Sequence, residues 1–334
     1  MLSLYYNPGF ETCAEYCFRG LQSLGHECIA FNDRGFLLPG RLRSRLKFLQ
    51  NWDLKNLNKN LVRLCIEKKA EICFVLGGDR ITEETIKILN AMGIITVLWT
   101  TDPPRYFDAI AASAPFYHRV FCAGSEAQNI LYRRRTDFLP FAVEPQTHYS
   151  VELTEEEKAF YGNDICFVGS HYANREEILS KIADMNIGIW GPGWDKVPDS
   201  SPLKNRIRRA ADIVPQEWIK IISASKIAVA IHYHDRSTVC FQVSPKVYES
   251  MACGAMVISD DQKDIEKVFV KDKEIITFSD VADLRNKIEK YLRNDKLRKD
   301  IADAGMIRTV STHTYKQRMR HMMEIVLQKG TIDE

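Results

Sequence analysis

Short, nearly continuous apolar runs recur along the chain at Ile72-Cys-Phe-Val-Leu76, Ile95–Trp99, Arg119–Cys122, Ile165-Cys-Phe-Val168, Ile187-Gly-Ile-Trp190, Ile227–His232 and Ala255-Met-Val-Ile258. Runs of this kind, bounded by glycine, proline or polar residues, predict strands buried on both faces. Between them, apolar residues return every three or four positions and predict helices near 54–69, 82–92, 125–134, 174–185, 215–223 and 245–253. The chain opens as a β-α-β unit, with a strand at 2–6, an Asn7-Pro8-Gly9 turn, a helix over 11–24 and a strand at 28–31. A last short strand is predicted at 275–278, with helices at 280–293, 295–305 and 315–327. Strand and helix alternating so regularly predict doubly wound parallel sheets.

The rhythm breaks once, at the polar stretch Glu144–Asn163 with its acidic run Glu155-Glu-Glu157, and the domain boundary is expected there. Two βα halves joined by one linker predict a cleft, with ligand at the strand ends. The Asn7-Pro8-Gly9 turn stands where a phosphate loop would be but lacks G-x-G-x-x-G, so it is no dinucleotide fingerprint.

At 334 residues the chain has room for two cores, and 45% hydrophobic with 27% charged residues is the balance of an ordinary soluble protein. A net charge of +2 excludes a strong general attraction to nucleic acid. The local basic runs Arg41–Lys47, Arg133–Arg135 and Lys204–Arg209 read as solvated faces, with peripheral membrane contact or an acidic partner as the other reading. Nine cysteines without a C-x-x-C pair indicate buried thiols in a reducing cytoplasm. Cys13 and Cys17 have no partner at ligand spacing, so no metal site is expected. No basic-then-apolar leader and no run near the roughly 18 residues of a membrane span are present, which predicts a cytoplasmic protein. Ser/His/Asp hydrolysis lacks its G-x-S-x-G elbow.

Candidate chemistry concentrates in the second half. Ser244 and Pro245 mark a helix start, Gly254 its end, and Lys246 falls in the first turn, where a helix disfavours a cation. That placement makes sense if an anion docks there. Glu249, three residues on, shares its face and could accept from ribose hydroxyls; the plainer reading is a solvated Lys246–Glu249 pair. Gly169 ends a buried strand ahead of a second helix, with Arg175 in its first turn, either as a second cation for a diphosphate or as a surface partner of Glu176 or Glu177. His232 is read either as a donor to phosphate or sugar or as a packed histidine. Asp102, in the Trp99-Thr-Thr-Asp-Pro-Pro104 loop of the first half, is a general-base candidate or a turn-forming Asx residue.

Phe167-Val-Gly-Ser170 with Arg175, Trp190-Gly-Pro-Gly-Trp194, Ala230-Ile-His232, Ser244-Pro-Lys-Val-Tyr-Glu249 with Ala252-Cys-Gly-Ala255, and Thr312-His-Thr-Tyr-Lys-Gln-Arg318 form one pattern over about 160–320. It resembles the GT-B glycosyltransferases of the group-one type, and among them the CgeB-like (spore maturation protein) family. The resemblance implies an α/β fold of two Rossmann-like doubly wound parallel-sheet domains facing a cleft. They would be an acceptor-side domain over 1–145, a nucleotide-sugar-binding domain over 146–312, and a C-terminal helix over 313–334 crossing back to the first. It implies transfer of a sugar from a nucleoside-diphosphate sugar to an unknown acceptor, protein, glycan or small molecule, with no metal or other cofactor. Arg175 and Lys246 would then lie near the diphosphate, Glu249 on the ribose and Val214 near the base, with Gly169, Ser170, Gly191 and Ser244 as further substrate-binding residues and Asp102 and His232 as catalytic candidates. Two positions depart from the pattern: Phe241 stands where many relatives carry a glutamate, and Lys246 where CgeB-like members often carry arginine. A GT-B-type nucleotide-sugar epimerase and a binding or scaffold protein without turnover are the other readings.

Overall fold

The computed structural model describes residues 2–4, 12–34, 47–131, 136–234 and 239–328. The Asn7-Pro8-Gly9 turn, the Arg133–Arg135 run and residues 41–46 lie outside them. The chain divides into two units, Met1–Pro140 with Tyr315–Glu334, and Phe141–Thr314.

The first unit holds a six-stranded sheet built from β1 (Leu2–Leu4), β2 (Ala30–Asn32), β3 (Ile72–Leu76), β4 (Ile95–Thr100), β5 (Arg119–Cys122) and β6 (Thr136–Phe138), in the order β2-β1-β3-β4-β5-β6. Every pairing is parallel. On one face Cys73, Val75, Leu98 and Val120 pack with Leu61 of the helix Lys47–Glu67 and with Ile86 and Leu89 of the helix Glu83–Ala91. Trp99, on the opposite face, is fully buried and donates its indole N–H to the Leu139 carbonyl at 3.0 Å. The helix Tyr315–Gln328 lies against the helix Cys13–Gln22, with the Tyr16 and Tyr315 rings 5.3 Å apart. Gly20 permits that approach, because a Cβ there would stand 3.1 Å from Met319 Cγ.

The second unit holds β7 (Asn163–Val168), β8 (Ile187–Trp190), β9 (Ile207–Arg209), β10 (Ser225–Ala230), β11 (Met256–Asp260) and β12 (Ile276–Phe278), in the order β12-β11-β10-β7-β8-β9. These pairings are also parallel. Ile165, Ile189, Ile227, Ile258 and Trp194 are fully buried in its core. This is the Rossmann strand order, in which the chain reverses direction across the sheet between the first and fourth strands. Here that switch point lies between β7 and β10, paired through Ile165↔Ile227 and Cys166↔Ala228. Loops leaving their carboxyl ends are therefore the expected seat of a ligand. Both sheets are the Rossmann-like doubly wound parallel sheets expected of the sequence.

The structure differs from the sequence reading in several places. Phe141, Ala142 and Val143 belong with the second unit rather than the first: all three are buried, and the Val143 amide donates to the His313 carbonyl. The linker read as polar contains a helix, Glu155–Tyr161, whose start is a reciprocal capping box of Thr154 and Glu157. Helix Asp295–Thr312 runs seven residues past the expected end. The basic run Lys204–Arg209 is structural. Part of it forms the edge strand β9, Arg206 donates to the Ala183 carbonyl, Arg208 to the Asn163 side chain, and Arg209 pairs with Glu217.

Candidate functional site

Two loops meet at the switch point. After β7 the chain turns at Gly169 and Ser170 into the helix Ala173–Ser180, which starts without a side-chain cap. After β10 it passes His232 and reaches the helix Pro245–Ala252, whose N-cap Ser244 accepts from the Lys246 amide at 3.4 Å. Val168, Arg175, Trp218, His232, Ser244 and Lys246 line one small hollow.

The two cations converge on Gly169. Lys246 Nζ donates to the Val168 carbonyl at 3.1 Å, and Arg175 Nη1 donates to the Ser170 carbonyl at 2.8 Å. A Cβ on Gly169 would lie 2.7 Å from Lys246 Nζ and 3.4 Å from Arg175 Nη1. Arg175 is further held by Nε on the Ile231 carbonyl at 2.9 Å and lies over the Tyr172 ring. Neither plainer reading survives. Among the described residues, the carboxylate near Arg175 pairs elsewhere, Glu176 with His171 at 2.5 Å, and Lys246 makes no ion pair with Glu249. Two cations, Arg175 buried and Lys246 partly buried, held on carbonyl oxygens with no carboxylate between them among the described residues, form a site short of negative charge.

The electrostatics carry the same imprint. Burial, then the charge of Arg175, pulls the Lys246 ammonium down to about 8, with Glu249 opposing. Arg175 is also lowered, first by burial. Because the folded value lies below that of a free lysine (about 10.4), the native state gives up this proton first, so stability rises with pH between about 8 and the unfolded value. Affinity for an anion should move the opposite way, constant below about 8 and falling toward tenfold per pH unit above it. Lys246→Arg keeps its charge throughout, so titrations from neutral to alkaline pH should show that slope in the wild type alone. Equal slopes would contradict the assignment.

His232 is the packed histidine of the two readings. Its amide and Nδ1 both reach Asp260 Oδ1, at 3.0 and 2.6 Å, while Nε2 accepts from the Ser244 amide at 2.8 Å. The ring is thus the Nδ1–H tautomer with both nitrogens engaged, and it ties the end of β11 to the start of the Pro245 helix. His234 and Gln262 bond the other oxygen of Asp260 at 2.8 and 3.0 Å. Burial pushes the Asp260 carboxyl up, but its interaction with His232 and the hydrogen bonds it accepts from His232 and His234 hold it well below the usual carboxylate range.

Gly191 does not line the hollow. Its φ of +133° and the 2.2 Å that would separate its Cβ from the Gly169 carbonyl show that it lets two loop backbones touch. The Trp194 indole N–H closes the same carbonyl at 2.7 Å. Glu249 is mostly buried, 3.9 Å from His148 Nε2. Val214 precedes the helix Pro215–Ser223 and is 37% exposed. Phe241 places its ring under Lys263 Nζ, 4.5 Å away.

Asp260, Trp218 and Asn174 were missed by sequence reasoning. Asn174 donates to the His232 carbonyl at 2.8 Å, and Trp218 Nε1 is buried with no partner among the described residues. For Asp260 a signal existed: a carboxylate closing a buried strand must be bonded to something.

In the first unit, Asp102 follows β4 and lines a separate pocket of about 210 Å³ with Arg34, Asp79 and Thr100. Arg34 holds Asp79 through two bonds of 2.9 and 2.6 Å. Asp102 is exposed, yet partial desolvation and then the charge of Asp79 push its carboxyl up, against Arg34.

Residues 175–324 match the family model described as glycosyl transferase-like. No curated protein sequence matches the chain. Among solved structures, the chain is similar to sucrose-phosphate synthase from Thermosynechococcus elongatus, at a TM-score of 0.66 and 12% identity over 94% of this chain and 92% of that one. It is similar to a glycosyltransferase from Rickettsia africae, at 0.65 and 12% over 95% and 94%. It is also similar to Anabaena HepE in complex with UDP-glucose, at 0.61 and 11% over 92% and 88%. These likenesses cover both units and show the fold, and the family match, over the unit that holds the cation site, supports a glycosyltransferase.

Proposed function

We propose that the protein is a metal-independent glycosyltransferase whose second unit binds a nucleoside-diphosphate sugar at the β7/β10 switch point, on the CgeB-like pattern of its motifs. The observation that carries this is the convergence of Arg175 and Lys246 on Gly169 with no carboxylate between them among the described residues. A diphosphate seated against Gly169 and Ser170 supplies the missing charge and accepts from the uncapped start of the Ala173 helix. Glu249 takes the ribose hydroxyls, and Val214 lies at the base. Anabaena HepE, whose fold this chain shares, has been captured with UDP-glucose. His232 acts here by positioning the Ser244 amide. We place the enzyme in the cytoplasm, in keeping with nine cysteines that are all free thiols.

In the reaction, an acceptor hydroxyl oxygen bonds to the anomeric carbon as the bond from that carbon to the diphosphate breaks. The diphosphate leaves with the electron pair, and Arg175 and Lys246 neutralise it as its charge grows, so the reading calls for no metal. We assign Asp102 the acceptor proton, since a raised carboxyl is the better base near neutral pH. Asp102→Asn should leave nucleotide-sugar affinity within about twofold while lowering transfer on the order of 10²- to 10⁴-fold. Equal turnover by the variant would remove Asp102 from the mechanism. An epimerised sugar formed from donor alone, seen by NMR, would point to the epimerase reading instead.

A further inference from the structure

The Asp102 pocket lies on the first unit. Its walls are Arg34, Asp79, Thr100, Asp102 and Tyr106, floored by Ala109 and Ile110. Thr100 is 1% exposed, and its hydroxyl has no hydrogen-bond partner among the described residues. An orphaned hydroxyl on a pocket wall is a place where a ligand's polar atom belongs.

The charge of the walls argues against an anion. Among the described residues that line it, the one cation, Arg34, is already held in two bonds by Asp79, and Asp102 adds a second carboxylate. A phosphate or carboxylate against these lining residues would meet two carboxylates and a cation that is already paired. Hydroxyl groups suit the walls well, because each can donate to a carboxylate oxygen and accept from Thr100. The apolar part has the matching form: Tyr106, 48% exposed, lines the pocket with Ala109 and Ile110, and with the Arg105 guanidinium 4.4 Å over its ring it leaves one face for C–H groups. At about 210 Å³ the pocket falls below the span of sites for drug-sized ligands, so it fits one ring rather than an extended chain.

We infer that this pocket binds a neutral, polyhydroxylated acceptor, a single uncharged sugar ring, held by Asp79, Thr100 and Asp102 and stacked on Tyr106. This rests on the glycosyltransferase reading for its role as acceptor, but the binding itself does not.

Saturation-transfer NMR on the full chain without nucleotide tests it with methyl glycosides of glucose, galactose and mannose as probes. At least one neutral glycoside should receive saturation. Tyr106→Ala, at an exposed position, and Thr100→Val, of equal size, should each weaken its apparent affinity at least fivefold, with unfolding midpoints near the wild type's. Glucose 6-phosphate and glucuronate should compete at least tenfold more weakly than glucose. The inference is overturned if no neutral glycoside binds, if neither variant weakens the one that does, if the anionic sugars bind as well, or if N-acetylarginine amide, a cationic probe, binds more tightly than all of them. Nucleotide-sugar titration is a separate readout. Glycoside binding without nucleotide binding would retain the pocket and sink the transferase reading, and the reverse result would do the opposite.

Discussion

Gly169→Ala is expected to leave the second unit folded while lowering its affinity for a nucleoside-diphosphate sugar at least about tenfold, roughly 1.4 kcal/mol or more. The new Cβ would stand 2.7 Å from Lys246 Nζ, 3.2 Å from Phe167 Cζ and 3.4 Å from Arg175 Nη1. Lys246 Nζ is the far end of a flexible chain and can withdraw, so the native state loses little more than its bond to the Val168 carbonyl, about 1 kcal/mol. What it cannot do is withdraw and still meet a phosphate at Gly169. The cost therefore falls on binding rather than on folding, and urea denaturation beside calorimetric titration separates the two. Gly191→Ala is the contrasting change. There the Cβ meets the Gly169 carbonyl oxygen at 2.2 Å and φ is +133°, so backbone must move and stability falls as well. A Gly169→Ala protein that binds nucleotide-sugar like the wild type would show that the space beside this glycine is not the diphosphate site.

Asp260→Ala should be the most destabilising single change at the site, on the order of 3–5 kcal/mol by urea unfolding. It strands the His232 amide and His232 Nδ1–H, and it removes the oxygen that His234 and Gln262 share. Asp260→Asn keeps an acceptor for His232 and should cost less, about 1–2 kcal/mol. The pH dependence carries a sign that tests the charge itself. Because the folded carboxyl lies below its unfolded value, its stabilisation is present above about pH 4 and is lost as pH falls through the folded pKa. Wild-type stability should thus fall below pH 4 more steeply than that of Asp260→Asn. Losing His232's anchor also releases the Ser244 amide, so Asp260→Ala should bind nucleotide-sugar more weakly even where it remains folded. Wild-type stability in Asp260→Ala would mean that His232 is held by other means.

How far the sequence could be read depended on whether an element declares itself locally. β3, β5 and β8 were legible to the residue, because continuous apolar runs between turn residues have few other solutions. β9 was not: Ile207-Arg-Arg209 is an edge strand whose side chains pair with Glu217 and Asn163, and no apolar run marks it. The Glu155–Tyr161 helix hid behind its acidity, although Thr154 followed by Glu157 is the capping-box spacing and could have found it. The same division holds at the site. Arg175 and Lys246 were legible because each is a cation in the first turn of a helix that follows a buried strand. Their convergence on one glycine, and the Asp260–His232–Ser244 chain that holds the second loop, join residues up to 78 positions apart and follow only from strand order. His232 shows the limit most clearly. The sequence places it at a strand end, but only its two ring partners decide between chemistry and support.

The central claim is that the second unit takes a nucleoside-diphosphate sugar with its diphosphate between Arg175 and Lys246. The most direct test is calorimetric titration of the wild type, Lys246→Ala and Gly169→Ala with UDP-, GDP- and dTDP-sugars at neutral pH. The account predicts that the wild type binds at least one of them at a single site and that both variants lose most of that affinity while keeping cooperative unfolding. No binding of any nucleotide-sugar by the wild type, or equal affinity in all three proteins, would contradict it.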